Sequence, residues 1–70
     1  MNYIIEVNWD ETAGVWYAVC DDIPIVVESN SFDALIEKTK IVAFEILELN
    51  NKLTKDLKLC FKTNHWARIA

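Results

Sequence analysis

Four carboxylates flank a tryptophan-bearing apolar run in the segment VNWDETAGVWYAVCDDIP, residues 7–24: Asp10, Glu11, Asp21 and Asp22. Convergent carboxylates are the ligands that Mg²⁺ needs for phosphoryl chemistry. The two pairs, however, follow two successive antiparallel strands, so a strand length of roughly 15–20 Å separates them. They cannot share one ion. We therefore assign these residues to turns, where Asp side chains bond the backbone.

Two cysteines and one histidine are the other residues with reactive or metal-binding side chains: Cys20, Cys60 and His65. The cysteines lie 40 residues apart without a CxxC motif, and a single histidine cannot complete a zinc site with them. Neither cysteine is near His65 in sequence, so a nucleophile–base pair would form only if the fold brought the two together. Buried strand cysteines usually behave as small hydrophobic residues. We expect no metal, no cofactor and no enzymatic activity.

The length and composition indicate one small folded domain spanning residues 1–70. Hydrophobic residues make up 53% of the chain and include three tryptophans, which is too rich for disorder. The net charge of -4 has the wrong sign for a domain that holds nucleic-acid phosphates by itself. The N-terminal MNYIIEVNW lacks the features of a signal peptide, and no apolar run approaches the roughly 20 residues of a membrane span. We expect a cytoplasmic protein that binds neither nucleic acid nor membrane directly.

The spacing of apolar residues predicts the element order βββαβ. Strict alternation indicates a first strand with one buried face, and a polar loop containing the single glycine, Gly14, follows it. Three consecutive N-cap residues, Ser29, Asn30 and Ser31, precede an apolar stripe at helical spacing. The predicted strands and helix cover residues 2–9, 15–20, 25–28, 32–51 and 57–62, and the last strand has the sequence to continue through 66–69.

A three-stranded meander followed by a right-handed helical crossover places the fourth strand parallel to the third, beside the first. The result is an α+β fold with a four-stranded sheet of order 3-2-1-4 and one helix on one face. The other face must be solvated or covered by another molecule. Because strand 1 then separates Cys20 from Cys60 by about 9.5 Å, and a disulfide requires less than about 7 Å between Cα atoms, we predict two free thiols.

One face of the helix has the features of a partner-binding site. Helical geometry turns Ile41 and Phe44 about 120 to 150° away from the apolar stripe, on the side of Glu37 and Glu48. Apolar side chains on an acidic face suit a basic partner, and we assign Trp16 to the same site. Isolated surface apolar residues are also common without any binding role, which is the alternative interpretation.

Self-association is the second predicted property. Small domains commonly need it for stability, strand 2 is apolar on both faces, and strand 3 lies at a sheet edge whose backbone groups lack partners. We predict a homodimer or higher even-numbered oligomer, formed through the uncovered sheet face or the strand 3 edge. The predicted interface residues are Ile4, Trp16, Ile25, Val26 and Val27.

Four short motifs carry a family resemblance. Trp9-Asp10 ends strand 1, Val15-Trp16 opens strand 2, Asp21-Asp22-Ile23-Pro24 forms a turn and Leu47-Glu48-Leu49-Asn50 ends the helix. Over nearly the whole chain the pattern resembles a bacterial family of small proteins related to the HicB antitoxins. One position departs from the family pattern, which usually has glycine after the proline. Here Ile25 follows Pro24, so a positive φ is disfavoured at that position.

The resemblance implies a partial ribonuclease-H-like (HicB-like) fold without nuclease activity. HicB antitoxins cover HicA, a small basic ribonuclease, so the resemblance implies a non-enzymatic protein-binding module that masks a HicA-type toxin. An acidic domain opposed to a basic toxin is electrostatically favourable. The alternative is a structural homo-oligomer or an orphan relative without a toxin partner. An active ribonuclease-H-like nuclease is disfavoured, because Glu6 is the only acid inside the predicted strands 1, 2 and 4.

Overall fold

The computed structural model describes residues 2–63, and its elements follow the predicted βββαβ order. The strands are β1 (Asn2–Asp10), β2 (Val15–Cys20), β3 (Ile25–Ser29) and β4 (Lys58–Thr63), and the helix α1 (Phe32–Leu49) connects β3 to β4. His65 and the predicted continuation of the last strand through 66–69 lie outside the described residues. Among residues 2–63, no helix has the length and apolar character needed to cross a membrane.

The four strands form one mixed sheet in the order β3-β2-β1-β4, as the sequence predicted. β2 pairs antiparallel with both β1 and β3, and β1 pairs in parallel with β4. The register places Trp9 opposite Trp16 and Ile4 opposite Cys60. The predicted α+β fold with a helical crossover between the two edge strands is therefore confirmed.

The first helical turn of α1 is fixed by the predicted cap. Ser31 occupies the N-cap with extended backbone angles, and its Oγ accepts a hydrogen bond from the Ala34 N–H at 3.4 Å. Asp33 adds a negative charge in the first turn, where it interacts favourably with the helix dipole. The polar segment before Phe32 thus specifies where the helix begins.

The helix ends in a hydrogen-bonded reversal that involves a left-handed asparagine. Asn51 has φ 56°, its N–H donates to the Glu48 carbonyl, and the Lys52 N–H donates to the Leu47 carbonyl at 2.8 Å. These two bonds form a Schellman motif, which satisfies carbonyl groups of the last turn. The predicted helix end at residue 51 therefore lies two residues beyond the last helical residue, Leu49.

The β1–β2 turn confirms the turn role assigned to Asp10. Its Oδ1 accepts hydrogen bonds from the Thr12 and Ala13 N–H groups, both at 3.1 Å. Gly14 closes the turn with φ 68°, and its N–H donates to the Asp10 carbonyl at 2.8 Å. Asp10 itself is the last residue of β1, so this strand extends one residue further than predicted.

The β2–β3 connection contributes a core residue that the sequence pattern did not single out. Ile23 lies between exposed Asp22 and Pro24, yet it is only 2% exposed. The Ile25 N–H donates to the Ile23 carbonyl at 2.7 Å, which gives a tight three-residue turn around the proline. Ile25 is the first residue of β3 and is also buried.

One side of the sheet packs against α1 and forms the core. The helix lies mainly over β3 and β2. Thr39, at its centre, is fully buried, and its Oγ1 donates to the Leu35 carbonyl at 2.7 Å, so the hydroxyl is satisfied. Leu53, which continues the apolar stripe of the sequence at helical spacing, lies beyond the helix and is 39% exposed. The core residues are Tyr3, Ile5, Val7, Ala18, Ile23, Ile25, Val27, Leu35, Ala43 and Leu47.

Candidate functional site

The open face is the side of the sheet turned away from α1. Strand alternation defines it, because Tyr3, Ile5 and Val7 of β1 point into the core. Charged and apolar side chains are interspersed on it, and Ile4 and Val26 are 48% and 76% exposed. The open face carries Ile4, Glu6, Asn8, Val15, Tyr17, Val19, Val26, Glu28, Cys60 and Lys62.

The structure corrects the predicted placement of two β3 residues. Ile25 and Val27 were assigned to an oligomer interface on the open face or strand edge, but they are only 2% and 7% exposed and face α1. Because side chains alternate along a strand, Val26 between them points the opposite way. Of the predicted interface residues, Ile4 and Val26 lie exposed on the open face.

Trp16 requires the same correction. It lies opposite Trp9 in the β1–β2 register, with ring centroids 5.3 Å apart, and it contacts Phe32 of α1 edge to face at 5.1 Å. These contacts place the half-buried indole on the helix side of the sheet, where it packs against the core. Trp16 is therefore separated from both the open face and the exposed part of α1, to which the sequence had assigned it.

The side of α1 turned away from the sheet, which we call the outer helix face, is exposed as the sequence predicted. It is defined by Glu37, Ile41, Phe44, Glu45 and Glu48. Ile41 and Phe44 are 60% and 51% exposed, and all three glutamates are exposed. Two large apolar side chains therefore stand in acidic surroundings on a rigid element.

Charge is unevenly distributed along the chain. Residues 2–50 contain ten acidic residues and two lysines, whereas residues 51–63 contain four lysines and one acidic residue. Both lysines of the first segment have partners: Lys38 Nζ donates to the Glu28 carbonyl at 2.9 Å, and Lys40 Nζ lies 3.3 Å from Glu37 Oε1. The result is an acidic body with a basic strip along the loop before β4 and along β4 itself.

An apolar groove of about 570 Å³ lies between α1 and β4, on the helix side of the sheet. We call it the α1–β4 groove. It exists because α1 lies mainly over β3 and β2, which leaves the β4 side of the same face less covered. Its walls are formed by Lys40, Ala43, Phe44, Leu47, Leu53, Thr54, Leu57, Lys58, Leu59 and Phe61.

Phe44 belongs to both the outer helix face and the α1–β4 groove, which changes its predicted role. The sequence grouped it with Ile41 on the acidic face, but the structure also makes it a wall of the α1–β4 groove. Helical periodicity indicated that Phe44 is exposed; it gave no sign of the groove. Alternation in β4 did place Leu59 and Phe61 on one side, but their partners across the groove depend on where the helix lies.

The carboxylates and thiols are dispersed. Within residues 2–63, no group of three or more His, Cys, Asp or Glu side chains is close enough to hold a metal ion. Glu6 lies on the open face between Val19 and Lys62 of the neighbouring strands, so its nearest charged neighbour in the register is a cation. Cys20 and Cys60 are free thiols, on the helix side and the open face respectively.

The fold is shared with a solved structure. The hypothetical protein TTHA1013 from the extremely thermophilic bacterium Thermus thermophilus has a crystal structure that superposes with a TM-score of 0.83 at 27% sequence identity. The match covers 99% of this chain and 100% of that one. Comparison with curated proteins gave no match. The family described as a domain of unknown function, DUF1902, matches residues 2–70, and the chain therefore belongs to this family.

Proposed function

We propose that this chain is a non-enzymatic protein-binding module that masks a small basic ribonuclease toxin of the HicA type. The four motifs that resemble HicB-related proteins motivate the identity of the partner. The single observation that carries the proposal is the outer helix face, where exposed Ile41 and Phe44 lie beside three exposed glutamates, one of which, Glu37, is ion-paired with Lys40. Apolar anchors within a charged rim are typical of protein interfaces, and the acidic rim favours a basic partner.

The rigidity of the outer helix face supports a binding role. The helix is fixed at its start by the Ser31 cap and at its end by the hydrogen bonds around Asn51. Its opposite side is anchored by buried Leu35, Ala43 and Leu47. Because the helix backbone is already fixed, it need not be ordered when a partner docks, and that part of the entropic cost of binding is avoided.

Inhibition of a purified HicA-type ribonuclease tests this proposal. We expect the wild-type chain to inhibit RNA cleavage, and Glu45→Lys/Glu48→Lys and Ile41→Asp each to raise the inhibitor concentration needed by at least about tenfold. Glu11→Lys/Asp21→Lys is the matched control, because it makes the same charge change in turns away from α1. Equal inhibition by the helix variants and the wild type would refute the outer helix face as the binding site.

A structural homo-oligomer is the second candidate function. Val26, at 76% exposed, and Ile4, at 48% exposed, are apolar side chains on the open face, and β3 is an edge strand. Edge strands with few charges favour pairing with another chain, and Glu28 is the one charged residue of β3. This candidate differs from the first in that it uses the opposite side of the molecule.

A Mg²⁺-dependent cleavage assay on structured RNA and RNA–DNA hybrids separates both candidates from a nuclease. We expect no cleavage above the level of Glu6→Gln, since Glu6 lies beside Lys62 and not beside a second carboxylate. Robust cleavage by the wild type that is lost in Glu6→Gln would contradict the binding proposal.

A further inference from the structure

The α1–β4 groove has the size and lining of a small-molecule site. Its volume of about 570 Å³ falls within the roughly 300–1,000 Å³ of typical ligand pockets. Phe44 on the helix faces Leu59 and Phe61 on β4 across it, and Leu53 and Leu57 of the connecting loop complete the apolar wall. The space is apolar, concave and bounded by three separate segments of the chain.

The polar residues of the groove define the charge of the occupant. They are Lys40 on α1, Lys58 at the start of β4 and Thr54 in the loop between them. The chain has eleven acidic residues, yet none of them lines this groove in the part that the structure describes. Lys58 has the strand phase of Cys60 and Lys62, so its side chain points to the open-face side, and Lys40 is the cation on the helix side of the sheet. A cation and a hydroxyl beside an apolar channel are complementary to a molecule with an anionic head and a hydrocarbon body.

Lys40 can reach such a head group. The ion pair of Lys40 with Glu37 has an N–O distance of 3.3 Å, and both side chains are more than half exposed. Exposed pairs of this kind contribute little to stability, so Lys40 can exchange Glu37 for a ligand carboxylate.

We propose that the α1–β4 groove binds an anionic amphiphile, specifically a long-chain carboxylate. The carboxylate pairs with Lys40, and the hydrocarbon chain lies against Phe44, Leu57 and Phe61. A second copy of the chain fits less well, because its outer surface would bring charged glutamates into an apolar channel. This proposal does not rest on the proposed toxin binding, although the groove shares Phe44 with the outer helix face and borders it at the Lys40–Glu37 ion pair.

Titration with dodecanoate, followed by backbone amide chemical shifts and by calorimetry, tests the proposal. We expect saturable one-to-one binding with shifts concentrated at residues 40–47 and 53–61. Decanoate should bind roughly three- to tenfold more weakly, because two methylenes fewer are buried. Dodecanol, which has the same chain without the charge, should bind about tenfold more weakly than dodecanoate.

Matched variants locate the site. Lys40→Gln should weaken dodecanoate binding about tenfold and leave dodecanol binding unchanged, whereas Lys62→Gln, at a lysine that does not line the groove, should have no effect. Phe44→Ala should weaken both ligands, and Ile41→Ala neither. Thermal unfolding of each variant confirms that it is folded.

Three results would overturn the proposal. The first is equal binding of dodecanol and dodecanoate, which means that Lys40 plays no part. The second is a set of shifts centred on the open face. The third is movement of the groove resonances with protein concentration in the absence of ligand, which would make a second copy the occupant.

Discussion

Trp16 of β2 and Phe32 of α1 are in edge-to-face contact, with ring centroids 5.1 Å apart and an interplanar angle of 76°. This contact joins the start of a central strand to the first residue of the helix. It also explains why a tryptophan in a strand that is apolar on both sides lies on the helix side.

We predict that Trp16 and Phe32 stabilise the fold and do not contribute to assembly. Trp16→Ala and Phe32→Ala should each lower the free energy of unfolding by about 2–3 kcal/mol. A double-mutant cycle in urea should give a coupling energy of about 0.5–1.5 kcal/mol. Phe44→Ala is the control, since this half-exposed ring lies on the other side of the helix, and we expect it to cost less. A coupling energy of zero would refute the contact.

Self-association, if it uses the open face, should depend on Val26 and not on its neighbour in β3. Val26→Asp adds a charge to an exposed apolar position and should shift the sedimentation profile toward an 8.1 kDa monomer. Val27→Ala changes a buried residue and should lower the unfolding free energy by about 1–2 kcal/mol without altering assembly. A wild type that sediments as a monomer at micromolar concentration contradicts the predicted oligomer, and an oligomer insensitive to Val26→Asp uses another surface.

The two thiols should differ in reactivity. Cys60 is exposed on the open face, whereas Cys20 is half-buried on the helix side and packs against the core. Titration of the native protein with a thiol reagent should therefore show one fast and one slow phase, and the unfolded, non-reduced protein should give two thiols per chain. Cys60→Ser should remove the fast phase alone. A count of zero in a monomer would contradict the strand order.

Asn51 should be a site where glycine stabilises the protein. Its φ of 56° is in the left-handed region, which carries an energetic cost for any side chain and the least for asparagine and glycine. We expect Asn51→Gly to raise the free energy of unfolding by roughly 0.5 kcal/mol and Asn51→Ala to lower it by about 1 kcal/mol. Urea unfolding of the two variants measures the difference, and the opposite order would refute the helix-terminal geometry.

Much of this fold is determined by local sequence. The alternation in residues 3–9 specifies β1 and its buried face, and Ser31 specifies the start of α1. The right-handed crossover rule then gives the sheet order without further information. Exposure of Ile41 and Phe44 also follows from helical periodicity alone, because a helix presents side chains at fixed angles.

Only the tertiary structure decided which face of the sheet each apolar side chain of β2 and β3 points to. It also decided which part of the sheet the helix leaves uncovered. Every position from Val15 to Cys20 in β2 and from Ile25 to Val27 in β3 is apolar. Because polar and apolar residues do not alternate there, the sequence does not indicate which side chains face the helix. The register with β1, set by the Asp10–Gly14 turn, turned Trp16 toward α1. The α1–β4 groove depends on the lateral position of the helix over β3 and β2, which is a result of packing between residues distant in sequence and has no counterpart in local periodicity.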